Sequence, residues 1–237
     1  MRLLLISNST NAGEEYLKYP IPMIRKFLGE KSLKCAFIPW AGVTISFDNY
    51  ASRVKDRFRE AGHEIVSVHE VEKPAELIRN SDVTVVGGGN TWQLLKMIQE
   101  EGLIEMVAEE VKKGKPYIGW SAGSNMACPT IMTTNDMPIV QPESFRAFNL
   151  VPFQINPHYL DANPEGHAGE TREARIEEFI VVNREVNVLG LREGTMLEVD
   201  NEKMQLVGPR KARLFRFGQD PRELDTTDDL SFLLRRQ

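Results

Sequence analysis

Residues 115–125, KPYIGWSAGSN, decide how the rest of the chain is read. Lys115–Trp120 is an apolar run of strand character, and it leads into Gly119-Trp120-Ser121-Ala122-Gly123. The residues that follow are compatible with a helix. Strand, glycine-flanked serine and helix in that order are the context of a G-x-S-x-G nucleophile elbow. Small neighbours are needed because a sharp strand-to-helix turn strains the backbone of the serine. The first N–H groups of the helix then point at a reacting carbonyl. A glycine-rich turn with a capping serine is the bland alternative, and the strand–turn–helix context disfavours it.

Working outward, short apolar runs alternate with amphipathic stretches. Arg2–Ile6, Lys34–Ile38, Glu64–His69 and Val83–Val86 read as strands that precede the one at Lys115–Trp120. Helical spacing appears over Tyr16–Leu28, with Pro20 and Pro22 in its first turn. It recurs from Phe47 to Ala61, with Ser46 as N-cap and Gly62 as stop, near Pro74–Arg79 and from about Thr91. This alternation predicts an α/β fold, a mostly parallel twisted sheet with helices on both faces. Residues 131–164 read as irregular and Thr171–Val182 as helical. Four short runs, VNVLGL (186–191), MLEVD (196–200), MQLV (204–207) and RLFRF (213–217), read as strands. They are expected to complete the same sheet and add an antiparallel edge near the C-terminus. The whole chain, 1–237, reads as one domain, and the polar tail 218–237 has no assigned place.

The 237 residues carry 29 Lys and Arg against 34 Asp and Glu, a net charge of −5. A mildly acidic chain with no basic cluster argues against a nucleic-acid partner, which needs a positively charged face for phosphates. No segment approaches the apolar length of a membrane span, and the run Leu3–Ile6 is too short for a signal peptide. Cys35 and Cys128 make no disulfide framework and read as buried thiols. A cytoplasmic protein is the expectation.

Ligands of open α/β sheets lie beyond the carboxyl ends of the strands. Three such ends are unusual: VVGGGNT (85–91), IGWSAGSN (118–125) and LGLREGT (189–195). Ser121 needs a base. Of four histidines, His63 and His69 flank an ordinary strand. His158, braced by Pro157 in INPHY, is favoured over His167, which has glycine on either side. An acid should orient the histidine. Glu193 and Asp136 are the candidates, with Glu165 and Glu170 behind them, and position ranks Glu193 only slightly ahead of Asp136. The triple glycine 87–89 matches neither a dinucleotide fingerprint nor a P-loop. It suits close backbone approach to a ligand, with Gly89 N–H and Ala122 N–H as oxyanion donors and Asn90 as a substrate contact. No metal-binding motif is present, so neither metal nor cofactor is expected.

FIPWAGV (37–43), VGGGNTWQLLK (86–96), YIGWSAGSN (117–125), TTNDMPIV (133–140), QINPHY (154–159) and PEGHAGETREARI (164–176) together closely resemble the dipeptidase E family. These are aspartyl dipeptidases of a serine peptidase group that also includes cyanophycinase. The resemblance runs from Leu3 to about Arg216. It implies a fold similar to class I glutamine amidotransferases and a Ser–His–Glu triad, which fall on Ser121, His158 and Glu193. Amidotransferases carry their acid two residues after the histidine, where this chain has Leu160. It also implies that Arg172, in GETRE, binds the aspartyl side chain of the substrate, with oxyanion donors at Gly89 and Ala122. The implied reaction is hydrolysis of small Asp-Xaa peptides with a free N-terminal aspartate, with Asp136 as a candidate partner of the substrate amine. The alternatives are a cyanophycinase-like hydrolase of another aspartyl amide and a catalytically silent binding protein on the same fold.

Overall fold

The run Leu3-Leu4-Leu5-Ile6 is wholly buried in the computed structural model, and the two alternating halves of it enter different cores. The structure describes residues 1–163, 165–166 and 168–235. Leu3 and Leu5 pack with Leu94, Leu95, Ile98, Val107 and Val111 on one face of a sheet. Leu4 and Ile6 pack with Ile24, Phe27, Val54 and Phe58 on the other. A strand covered on both faces has no solvent side, so its sequence is a continuous apolar run rather than an alternation.

The strands of this sheet are β1 (Arg2–Ile6), β2 (Lys34–Ile38), β3 (Glu64–Ser67), β4 (Val83–Val86), β5 (Tyr117–Trp120), β8 (Met196–Asp200) and β9 (Lys203–Val207). Their order is β3-β2-β4-β5-β1-β8-β9. The first five are parallel, and β8 and β9 add an antiparallel edge. The helices are α1 (Ile21–Leu28), α2 (Phe47–Glu60), α3 (Pro74–Asn80), α4 (Thr91–Glu100), α5 (Ile104–Lys112), α6 (Ala122–Met126) and α7 (Arg172–Val182). Ser46 caps α2 by accepting from Asn49 N–H. α1 starts at Ile21 rather than Tyr16, because Pro20 and Pro22 fix its first turn and leave residues 16–20 as turns. α5 has no counterpart in the sequence reading.

The expectation of one completed sheet needs correction. β6 (Gln154–Tyr159), β7 (Val188–Arg192), β10 (Ala212–Phe215) and β11 (Arg222–Leu224) form a second sheet, in the order β11-β10-β7-β6. β6 pairs with β7 in parallel, and the other two pairings are antiparallel. The tail also has a place. β11 belongs to it, and Leu224, Leu230 and Leu233 are buried in the main core. Both cysteines are buried, and burial pushes each thiol up to about 12. Among the described residues no helix is long and apolar enough to cross a membrane.

Candidate active site

Ser121 sits between β5 and α6 with φ 51° and ψ −112°, a backbone conformation that costs a non-glycine residue roughly 1–3 kcal/mol. The turn is held from both sides. Ser121 N–H donates to Ile6 O (3.0 Å) and Ser124 N–H to Ser121 O (2.9 Å). The buried Ser124 hydroxyl bonds with Ile6 O and Gly119 O at 2.8 and 3.0 Å. Gly123 is required by packing, since a Cβ there would stand 2.2 Å from Val86 O of the adjacent strand.

The base and the acid come from the second sheet. β6 breaks register with β7 between Pro157 and Tyr159, and the residue at the break, His158, has φ 53°. His158 therefore lies on a bulged strand, not on the Pro-braced loop expected from sequence; bulges re-aim side chains at sites of this kind. Its N–H donates to the buried Ser7 hydroxyl (3.0 Å), which itself donates to Leu191 O (2.7 Å). The imidazole lies between two partners, with Nδ1 2.7 Å from Glu193 Oε1 and Nε2 3.0 Å from Ser121 Oγ. A carboxylate only accepts, which puts the ring proton on Nδ1 and leaves the Nε2 lone pair for the serine hydroxyl. Glu193 follows β7 in a turn whose Gly194 N–H donates to Asn8 Oδ1 (2.8 Å). Tyr19 donates to the same oxygen (2.7 Å), and burial raises its phenol well above the usual value, with Glu193 adding to the effect.

The loop after β4 closes over the elbow. Trp120 Nε1–H donates to the Tyr50 hydroxyl (3.2 Å), and Tyr50 donates to Gly88 O (2.8 Å). Gly89 has φ 136°, and a Cβ on it would meet Ala41 O at 2.2 Å, so only glycine fits. Among the described residues, Gly89 N–H and Ala122 N–H donate to no protein acceptor. Asn90 caps α4, accepting from Gln93 N–H (3.0 Å) and donating to Met137 O (2.9 Å), so its amide is committed at both ends. Asp136 meets the same helix start: its Oδ2 accepts from Thr91 N–H, Thr91 Oγ1 and Thr134 Oγ1 at 2.8, 2.5 and 3.0 Å. Ser121, His158, Gly89, Asn90 and Asp136 line one cavity of about 520 Å³. That volume lies in the range of small-molecule sites.

Arg172 is the first residue of α7, half-buried, behind the cap made by Thr171 Oγ1 on Ala174 N–H. Burial and the neighbouring Arg175 lower its guanidinium from the usual value, while Asp136 acts in the opposite direction. It forms no ion pair with a described carboxylate, which leaves the guanidinium available.

The remaining candidates lie elsewhere. His69 faces Asp48 (3.0 Å), and buried His63 accepts from Leu33 N–H (3.4 Å). Glu165 is exposed, Glu170 pairs with Arg175 (3.7 Å), and His167 lies outside the described residues. Among the described residues no group of three or more His, Cys, Asp or Glu side chains is arranged to hold a metal ion. The sequence reading missed Ser7, Asn8 and Tyr50. The signal for the first two was the rule already applied to other strands, since Ser7-Asn8 directly follows the carboxyl end of β1.

The model of peptidase family S51 matches residues 3–207. The chain belongs to peptidase family S51. Among similar proteins, Peptidase E of Nostoc sp. is 51% identical over 99% of this chain and 97% of the relative. Peptidase E of Salmonella arizonae is 48% identical over 93% of this chain and 96% of the relative. Among solved structures, a chain from Listeria monocytogenes EGD-e matches with TM-score 0.66 at 23% identity, covering 88% of this chain and 98% of its own. A peptidase from an acI-B1 Actinobacterium matches with TM-score 0.70 at 18% identity, covering 98% and 96%. These two similarities show the fold. The S51 model places the chain among peptidases and ends at the edge of β9, before β10 and β11.

Proposed function

We propose that this S51 peptidase is a serine dipeptidase that removes N-terminal aspartate from Asp-Xaa dipeptides. The observation that carries this reading is the unbroken relay from Ser121 Oγ through His158 to Glu193, at 3.0 and 2.7 Å. In this reading Ser121 Oγ attacks the scissile carbonyl carbon while His158 Nε2 takes the hydroxyl proton, and Glu193 steadies the imidazolium. Gly89 and Ala122 N–H groups receive the oxyanion. The C–N bond then breaks, the leaving amine takes the proton from His158, and water releases aspartate from the acyl-enzyme by the same relay.

Arg172 is the assigned partner of the aspartyl carboxylate, because a guanidinium grips a carboxylate through two parallel hydrogen bonds. Asp136 is assigned to the substrate ammonium through Oδ1, since Oδ2 is already occupied by three donors. Asn90 acts by holding the α4 start that faces the substrate. The relay spans both sheets, so the chain works as one peptidase domain. Two buried free thiols suit a reducing cytoplasm.

The test is a release assay on Asp-Leu, Asn-Leu and Ala-Leu with wild type and Arg172→Met. A site built around a polar partner rejects analogues lacking it by up to ~10⁴-fold. Asp-Leu should be cleaved and the other two poorly. Arg172→Met should lose most Asp-Leu activity and little of what remains on Ala-Leu. An Arg172→Met enzyme that keeps its preference for Asp over Ala would remove Arg172 from substrate recognition.

A further inference from the structure

A zwitterionic Asp-Xaa dipeptide brings three charges to the site. The proposed reading gives its side-chain carboxylate to Arg172 and its ammonium to Asp136. The α-carboxylate of the leaving residue has no partner yet. A free N-terminus alone would define an aminopeptidase; restriction to dipeptides requires that the other end be read too.

Tyr16, residues 41–45 and the first turns of α2 also line the cavity. Among the described residues that line the cavity, Arg53 is the one arginine or lysine. Its neighbours on α2 make a contrast. Lys55 pairs with Glu70 at 2.5 Å, Arg57 with Glu15 and Glu60 at 2.7 and 2.8 Å, and Arg59 with Asp56 at 3.0 Å. Arg53 joins no ion pair among the described residues. Its guanidinium lies 5.3 Å from the centroid of the Tyr16 ring. Tyr16 in turn meets the Tyr50 hydroxyl at 3.3 Å, and Tyr50 accepts from Trp120, the residue before Ser121. The cation is thus linked to the nucleophile elbow through three packed aromatic side chains. A guanidinium resting on a ring face keeps its N–H edge free for a carboxylate.

We propose that Arg53 binds the C-terminal carboxylate of the leaving residue, and that this contact restricts the enzyme to dipeptides. The proposal rests on the Asp-Xaa reading. Val43 and Ile45, which line the same cavity, give the side chain of that residue an apolar neighbour.

The test compares Asp-Leu, Asp-Leu-amide and Asp-p-nitroanilide, the last two lacking the carboxylate. A charge-assisted hydrogen bond contributes about 10- to 100-fold in binding. Wild type should therefore favour Asp-Leu over Asp-Leu-amide by at least about tenfold in kcat/KM, mostly through KM. Arg53→Met should bring that ratio close to one, and Arg53→Lys should restore part of it. The Kd values of Asp-Leu and Asp-Leu-amide for the Ser121→Ala protein, with and without Arg53→Met, give the same comparison without turnover. Equal use of the two by wild type, or a ratio kept by Arg53→Met, would overturn the role of Arg53 while leaving the aspartyl reading in place. A wild type that cleaves none of the three, the anilide included, would overturn the aspartyl reading and the Arg53 assignment with it.

Discussion

At the end of β5, Ser121 is fixed by residues within a few positions of itself and by the ends of two neighbouring strands, Ile6 of β1 and Val86 of β4. Gly123 allows the contact with Val86 O, and Ser124 ties the turn to Gly119 O and Ile6 O. At the ends of β6 and β7, His158 and Glu193 are fixed by residues some 150 to 190 positions away. Ser7 holds the His158 N–H and Leu191 O, and Asn8 holds the turn after Glu193. The first half of the relay is a local turn braced by two strand ends, and the second is a long-range assembly. Both converge on Ile6-Ser7-Asn8, where β1 leaves the main sheet, so three consecutive residues set the serine against the histidine.

The sharpest break of this comparison is at the serine. Ser121→Ala removes one partly buried hydroxyl and leaves the glycine packing of the elbow untouched, so the protein should fold with little change in Tm. Turnover of Asp-Leu should fall by about 10⁴-fold or more, because relay members act as a unit. Near-normal turnover of the purified variant would take the nucleophile away from Ser121.

The second prediction concerns which carboxylate serves the histidine. Glu193→Gln keeps the shape but loses the fixed acceptor for Nδ1–H, and in an orienting acid this lowers kcat by about 10²–10⁴-fold. Asp136→Asn should act mainly on KM, because Asp136 Oδ2 is bonded to the start of α4 and makes no contact with His158. Steady-state kinetics on the pair distinguishes the two. A kcat loss confined to Asp136→Asn would transfer the acid role.

The contrast between the halves also explains what could be read from sequence. The parallel core, the elbow and the glycine loop were legible because their causes are local: apolar runs, small residues around Ser121, and a triple glycine where backbone meets ligand. The second sheet was not legible. Nothing in VLGLR, the sequence of β7, specifies whether its partner is β8, next in the chain, or β10. Position alone left Glu193 and Asp136 nearly equal, because the choice depends on a 2.7 Å contact made across 35 residues. His158 resembled a loop residue because a proline and a left-handed backbone at a bulge look, in sequence, like the end of a strand. Ser7 and Asn8 escaped notice because each bonds a group more than 150 residues away.

The smallest effect expected is the most specific to the long-range half. Ser7 is fully buried, and its hydroxyl accepts from His158 N–H while donating to Leu191 O. Ser7→Ala leaves both backbone groups unpaired in the interior, at a cost of about 1–3 kcal/mol for such a group. Stability should therefore fall by about 2 kcal/mol. So would that of a control such as Val111→Ala, a truncation in the α5 core. The two variants should part company in kinetics. Without the hydroxyl, the segment after β1 loses its bond to the left-handed backbone of His158, and the imidazole loses its register against Ser121. A misplacement of this order costs up to about 10²-fold, so a loss of about tenfold in kcat with KM little changed is expected. Val111→Ala should keep its kcat under conditions where both variants are fully folded. If Ser7→Ala also keeps its kcat, Ser7 contributes stability alone, and the position of His158 must be set by β6 and β7 themselves.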